Sequence, residues 1–257
     1  MTGTDGIETG YEERYDFPYR ADPPARPYVL ATLPRTGSSF VSHLLWATGC
    51  LGAPLEYLNF LPGGPPRFAT EQPDRQFELW NTVLHKRTSP NGVFGVKCFS
   101  LQMREMQQRN PRLLVEAMST LFLRGGEARV IRLRRRDAVA HAISYARASL
   151  SGIWRKEQEQ ECAPPVDYSK SAVEGARRSL EQQDADWDML LREIRISPLD
   201  VWYEDFTERP DDSVAQVGAY LGVTLDPAAA IAVPPVKRQQ QSDSRRWSDL
   251  YSERSVS

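Results

Sequence analysis

The chain has 257 residues, of which 40% are apolar and 26% charged, with a formal net charge of −2. This is the composition of a folded globular protein, and it argues against a disordered chain or a nucleic-acid-binding protein. No run approaches the roughly 18 apolar residues of a membrane span, and the acidic N-terminus does not resemble a secretory signal. The three cysteines are far apart, which favours reduced thiols over a disulfide framework or a metal cluster. We expect a cytoplasmic enzyme without a metal site.

Residues 1–26 are polar and end in the proline-rich stretch ADPPARP, so we predict a flexible N-terminal arm before a single domain over 27–257. Within that domain, short β-branched and aromatic stretches alternate with helical patterns. The predicted strands cover 28–33, 92–99, 128–133 and 198–206, and the predicted helices cover 39–48, 74–87, 111–123, a segment beginning at Asp137, 169–194 and the stretch DDSVAQVGAYLGV.

This alternation predicts an α/β fold, with a P-loop-like parallel central sheet of about four to five strands and helices on both faces. In such sheets, ligands bind at the carboxyl ends of the strands. The prediction therefore places the loop 34–39, Glu56, Lys97 and Arg136 at one edge of the sheet.

The stretch YVLATLPRTGSSFVSHLL (28–45) passes from a strand through a short polar loop into a helix, as phosphate-binding loops do. It departs from the ATP-binding pattern GxxxxGK[ST], because Thr32 and Ser38 stand where the first glycine and the lysine belong. The alternative is an ordinary strand-to-helix turn capped by a serine. The predicted anion-binding residues are Arg35, Thr36, Gly37, Ser38 and Ser39.

A second anion-binding element is predicted in the stretch RRRDAVAHAIS. Arg136 precedes Asp137, which is placed to cap a helix, and Ser144 lies seven residues later on the same face. An arginine at the helix entrance and a hydroxyl on that face can bind a phosphate. The alternative is a solvated basic edge with a packed serine.

At these residues the chain resembles a known family. The ordered set LPRTGSSF, APLEYLNFLP, GVFGVKCF, RLRRRDAVAHAISYARA, VWYEDFTERPDDSVAQVGAYLGV and KRQQQSDSRRWSDLY is similar to the sulfotransferases that use 3′-phosphoadenosine 5′-phosphosulfate (PAPS). Among these it is most similar to the bacterial trehalose 2-sulfotransferase group. The resemblance runs from about residue 27 to 254.

The resemblance implies that the loop 34–39 binds the 5′-phosphosulfate of PAPS and that Arg136 and Ser144 bind its 3′-phosphate. It also implies a C-terminal segment, about 236–254, that closes over the nucleotide, with Arg238 at its start. The family needs no metal for this reaction, and it often forms homodimers.

Glu56 is the candidate general base, because it is the only acid between the first loop and Glu71 in an otherwise apolar and aromatic segment. The resemblance agrees, since a glutamate in a P-x-E-[FY] context is the family's proposed base. The alternative is that Glu56 caps a turn or pairs with an arginine. Arg35 is expected to stabilise the leaving side of the transfer. The histidines, His43, His85 and His141, are expected to pack within helices.

The acceptor is expected to be a small molecule with a hydroxyl, with sugars and glycosylated metabolites as the leading class, near Glu56, Tyr57, Lys97 and Trp154. Leu55 and Leu58 differ from the glutamine and aromatic residue of the trehalose enzymes, so other sugars, glycolipids, nucleosides and natural products remain open. The alternative functions are a P-loop-type kinase and a nucleotide-binding sensor.

Overall fold

The computed structural model describes residues 8–59, 72–123, 128–154, 166–236 and 242–253. Four parallel strands form its central sheet: β1 (Arg26–Thr32), β2 (Val93–Phe99), β3 (Arg129–Arg134) and β4 (Leu199–Trp202). Their order in the sheet is β2-β1-β3-β4. The predicted parallel α/β sheet is therefore confirmed.

The helices are α1 (Ser38–Ala47), α2 (Pro73–Arg87), α3 (Ser100–Arg109), α4 (Pro111–Met118), α5 (Ala138–Ser151), α6 (Lys170–Glu193), α7 (Tyr203–Glu208), α8 (Pro210–Tyr220) and α9 (Ser242–Glu253). The predicted strand 198–206 is wrong beyond Trp202, because a helix begins at Tyr203 and Glu204 and Asp205 lie in its first turn, where acidic residues are favourable. The predicted helix 111–123 ends in a π-helical turn, Ser119–Leu123. Among the described helices, none is long and apolar enough to cross a membrane.

The strands bury side chains on both faces of the sheet. In β1, Val29 and Ala31 belong to one core cluster, which includes Trp187 of α6. Tyr28 and Leu30 point to the opposite face, where a second cluster contains apolar residues of α1 and α8. Since successive strand residues alternate between faces, helices cover the sheet on both sides, as the sequence predicted.

A buried arginine attaches α6 to the sheet. The Arg132 side chain in β3 is 1% exposed, and it donates to the Asp188 carboxylate at 2.9 Å and to the Asp184 carbonyl at 2.8 Å. Trp187, which lies between these two aspartates in the sequence, donates its indole N–H to the Thr32 carbonyl at 3.1 Å. Because these bonds compensate the buried charge, α6 is held beneath the end of β1, where the polar loop begins.

The part of the N-terminal arm that the structure describes, residues 8–25, is packed against the domain, whereas the sequence predicts a flexible arm. Tyr11 and Phe17 are each 6% exposed and belong to the core. The Phe17 N–H donates to the Lys86 carbonyl at 2.9 Å. The apolar and aromatic residues among the polar ones bury enough surface to fix this segment against α2.

Arg87, at the end of α2, is the charged anchor of that segment. Its side chain has no exposed surface, and its guanidinium donates to the Gly10 carbonyl at 2.9 Å and the Glu12 carbonyl at 3.3 Å. It also pairs with the Asp16 carboxylate at 3.0 Å. A buried guanidinium with this many partners ties the N-terminal segment to the domain.

Replacing Arg87 with methionine should lower the free energy of unfolding by about 3–5 kcal/mol, because Asp16 loses its buried partner and the Gly10 and Glu12 carbonyls lose their donor. The matched control is Lys86→Met, which removes the more exposed partner of the same carboxylate and should cost less than about 1 kcal/mol. Urea unfolding of both variants measures the difference. Equal losses would contradict the assigned role of Arg87.

Candidate active site

Three of the predicted polar residues meet at the carboxyl ends of β1 and β2. The Lys97 ammonium in β2 lies 3.0 Å from the Glu56 carboxylate and 3.1 Å from the Ser39 hydroxyl. The Lys97 side chain is 4% exposed, whereas that of Glu56 is 24% exposed. Gln102 of α3 places its amide nitrogen 3.5 Å from the other Glu56 oxygen. A continuous polar chain therefore joins the start of α1 to the candidate base.

The backbone of the loop is held in an uncommon conformation. Arg35 has φ of +65°, and Gly37 has φ of +92°. A Cβ atom on Gly37 would lie 2.2 Å from the Tyr203 ring, so only glycine fits at this position. A positive φ at a non-glycine residue such as Arg35 is a strained conformation that is typical of ligand-binding sites.

The first turn of α1 begins after Gly37, an N-cap residue with no side chain to cap it. The N–H groups of a first turn have no partner within their helix, and the helix dipole adds partial positive charge there. Ser38 is buried, whereas Ser39 is exposed and contacts Lys97. These features favour an anion in general, and the anion site at Gly37 and Ser39 stays a prediction.

Thr36 differs from the prediction that it contacts the bound anion. Its side chain is fully buried, and its hydroxyl donates to the Leu33 carbonyl at 2.7 Å. A hydroxyl used in this way stabilises the turn itself. We therefore assign the Thr36 side chain to the shape of the loop.

The Arg35 side chain links the loop to α5. Its Nε donates to the Ser144 hydroxyl at 3.2 Å, and its Nη1 donates to the Trp154 carbonyl at 2.5 Å. In return, the Arg135 guanidinium donates to the Arg35 carbonyl at 3.3 Å. The two predicted anion-binding elements are therefore in direct contact, through Arg35 and Ser144.

The Arg136 side chain contacts a partner other than Ser144. Its two Nη atoms donate to the Asp205 carboxylate at 2.9 Å each, and its backbone N–H donates to Glu204. The hydrogen bond from Arg136 lowers the pKa of Asp205. Because the Arg136 side chain is 49% exposed, its guanidinium is held in place but still accessible to a ligand.

The Tyr57 side chain lies in the core, whereas the sequence predicts it at the acceptor site. It is 1% exposed, and its hydroxyl donates to the Ala53 carbonyl at 2.7 Å. Its ring stacks on Phe94 of β2. The segment after Leu55 turns the Tyr57 side chain into the core, while the Glu56 side chain points the other way.

Trp154 is at the surface, where its ring is 44% exposed and lies beside Tyr145. Arg238, predicted to contact the nucleotide, lies outside the described residues, as does the segment 60–71. Within the ranges that the structure describes, no group of three or more His, Cys, Asp or Glu residues is arranged to hold a metal ion.

The C-terminal segment that was predicted to close over the nucleotide contains α9, which packs on α5. The Arg147 guanidinium of α5 donates to the Ser244 hydroxyl at 2.6 Å. Trp247 is 2% exposed and packs edge-on against Tyr168. This segment therefore rests on the same helix that carries Ser144.

Comparison with known proteins identifies the family. The family model described as "Sulphotransf: Stf0 sulphotransferase" matches residues 27–254, from β1 to the end of α9. This chain belongs to the Stf0 sulphotransferase family. The resemblance found in the sequence is thereby confirmed.

Two relatives of this sulfotransferase are trehalose 2-sulfotransferases. That of Mycobacterium tuberculosis (strain ATCC 35801 / TMC 107 / Erdman) is 30% identical over 256 residues, covering 88% of this chain and 94% of the relative. That of Mycolicibacterium smegmatis is 26% identical over 252 residues, covering 87% and 93%. The solved sulfotransferase of Alicyclobacillus acidocaldarius overlaps with a TM-score of 0.47 at 15% identity, covering 91% of this chain and 93% of that chain. At that level of likeness, the chemistry must be argued from the residues.

His141 of α5 is a site residue that the sequence analysis assigned only to helix packing. Its Nε2 donates to the Pro34 carbonyl at 2.8 Å, so it supports the loop of this sulfotransferase directly before Arg35. Burial, together with Arg135 and Arg35 nearby, lowers the pKa of His141 to about 4. The imidazole is therefore neutral at neutral pH, where it supports the loop without adding charge. The position of His141, four residues after the helix cap Asp137, gives no signal in the sequence for a bond to the loop.

His141 should make the stability depend on pH. Because its pKa is about 4 in the folded state and near 6.5 in an unfolded chain, its contribution is fully present above about pH 6.5 and is lost as pH falls toward about 4. The variant His141→Gln keeps a donor for Pro34 but does not titrate. Its free energy of unfolding should fall less steeply with acid than the wild type's, by up to about 1 kcal/mol per pH unit.

Urea unfolding between about pH 7 and 4.5 measures this difference. A wild-type slope in His141→Gln would contradict the assignment.

Proposed function

We propose that this sulfotransferase transfers the sulfuryl group of PAPS to a hydroxyl of a carbohydrate or a glycosylated small molecule, with Glu56 as the general base. The family supports sulfuryl transfer, and both trehalose 2-sulfotransferase relatives support a sugar acceptor. The observation that carries the proposal is the polar chain Ser39–Lys97–Glu56. It sets a carboxylate that can accept a proton beside a helix start that can bind an anion.

The residues present fit a donor with a phosphosulfate group and a separate phosphate. Arg35 and the first-turn N–H groups of α1 would hold the phosphosulfate, and Gly37 supplies the left-handed backbone from which that turn starts. Arg136 and Ser144 would hold the 3′-phosphate at the entrance and on the face of α5. Arg136 keeps donors beyond the two that Asp205 uses, since a guanidinium carries five.

Sulfuryl transfer forms a bond between the acceptor oxygen and sulfur while the bond from sulfur to the bridging oxygen of PAPS breaks. Glu56 would take the proton that the acceptor hydroxyl loses. Arg35 would offset the negative charge that develops on the bridging oxygen, which leaves with adenosine 3′,5′-bisphosphate (PAP). Most of the catalysis is then positioning and electrostatic stabilisation by fixed groups.

Lys97 would serve both sides of this reaction. Its ammonium compensates the Glu56 carboxylate while the acceptor binds, and it lies against Ser39 at the donor loop. The exposed ring of Trp154, whose carbonyl holds Arg35, offers an apolar face of the kind that sugars and adenine stack on.

Glu56→Gln should slow transfer by about 10²- to 10⁴-fold, the usual contribution of a general base. The assay supplies PAPS with a panel of sugars that includes trehalose and a glycoside, and it detects the sulfated product and PAP by mass spectrometry. The control, Glu181→Gln on the exposed side of α6, should keep the wild-type rate. No sulfated product from any acceptor in the wild type, or an unchanged rate in Glu56→Gln, would contradict the proposal.

A further inference from the structure

A residue upstream of the family match contacts the candidate base. The Tyr11 hydroxyl accepts a hydrogen bond from the Glu56 backbone N–H at 3.0 Å, across 45 positions of sequence. The Tyr11 ring also packs edge-on against Tyr57, the residue that follows Glu56. The family model begins at residue 27, so the match itself contains no counterpart of this contact.

The peptide that carries Glu56 is held from two sides. On one side, the Leu55 carbonyl accepts from the Lys97 N–H at 2.9 Å, and Leu55 forms an isolated bridge with Val96 of β2. On the other side, the Tyr11 hydroxyl bonds the Glu56 N–H. The two hydrogen bonds thus fix both polar groups of the Leu55–Glu56 peptide, from which the Glu56 side chain extends.

Tyr11 is in turn held by a folded segment, residues 9–17, which we call the N-terminal clasp. The Glu12 carboxylate accepts from the Thr9 N–H at 2.8 Å and from the Gly10 N–H at 2.7 Å, which closes a tight turn. Gly10 has φ of +87°, and a Cβ there would lie 3.0 Å from the Trp46 ring. Together with the buried Arg87, these contacts place the Tyr11 hydroxyl on a rigid support.

We propose that Tyr11 is a positioning residue for Glu56 and that the N-terminal clasp is part of the active site. This inference rests on the proposed function, in which Glu56 is the base. Without the hydroxyl, the Glu56 N–H would face the ring of a phenylalanine and lose its partner. The carboxylate would then sample positions away from the acceptor hydroxyl, and small displacements of a base cost turnover.

Tyr11→Phe tests the inference, because it removes the hydroxyl and keeps the ring that packs on Tyr57. We expect kcat to fall by about 3- to 10-fold, with an unchanged KM for PAPS and an unchanged affinity for PAP. The matched control is Tyr28→Phe, which removes a buried hydroxyl that bonds the Leu51 carbonyl. It should keep the wild-type kcat.

A second readout reports the hydrogen bond without activity. Backbone amide exchange at Glu56, followed by NMR, should be faster in Tyr11→Phe than in the wild type or in Tyr28→Phe. Faster exchange together with lower kcat supports the inference. Wild-type kcat or exchange in Tyr11→Phe would overturn it, as would equal losses of kcat in both variants.

The variant Glu56→Gln separates the two proposals. If it is inactive while Tyr11→Phe turns over like the wild type, the positioning role of Tyr11 fails and the proposed function stands. If Glu56→Gln is fully active, the base assignment fails, and the role of Tyr11 fails with it.

Discussion

The Lys97 ammonium, nearly buried between the Ser39 hydroxyl and the Glu56 carboxylate, is the charge around which the site is organised. A buried cation needs a carboxylate and further hydrogen-bond partners close by, so its presence at the end of β2 draws the segment after α1 onto the sheet. The Lys97 backbone completes this constraint, because its N–H holds the Leu55 carbonyl. The loop 34–39, the end of β2 and the Glu56 carboxylate are therefore held in one relative arrangement.

Much of the fold could be predicted, because it depends on local patterns. β-branched strands, helix periodicity and Gly-rich turns give the parallel sheet and most helix bounds, as in α2 and α6. The loop 34–39 could also be recognised as a candidate anion-binding loop, since its glycine and hydroxyls lie within six residues of one another. Topology then placed Lys97 and Glu56 at one edge, and the ion pair at 3.0 Å agrees with that placement.

The remaining features depend on contacts between distant residues, which no local pattern encodes. Tyr57 follows Glu56 directly, yet its side chain enters the core because Phe94 offers it a ring to stack on. The polar composition of the N-terminal arm predicts flexibility. It gives no sign of the hydrogen bond that the Glu12 carbonyl accepts from Arg87, 75 positions away in the sequence. His141 likewise carries no local signal for its role, because its partner, the Pro34 carbonyl, lies 107 positions away in the sequence.

We propose a site for a nucleotide with a 3′-phosphate, and isothermal titration with PAP and with 5′-AMP is the measurement that decides it. We expect the wild type to prefer PAP, and Arg136→Ala to weaken PAP binding by about 10- to 100-fold while hardly changing AMP binding. Arg109→Ala, at an exposed arginine of α3, is the control for a simple loss of charge. Equal affinities for PAP and AMP in the wild type would rule out a 3′-phosphate site, as would an equal loss of both in Arg136→Ala.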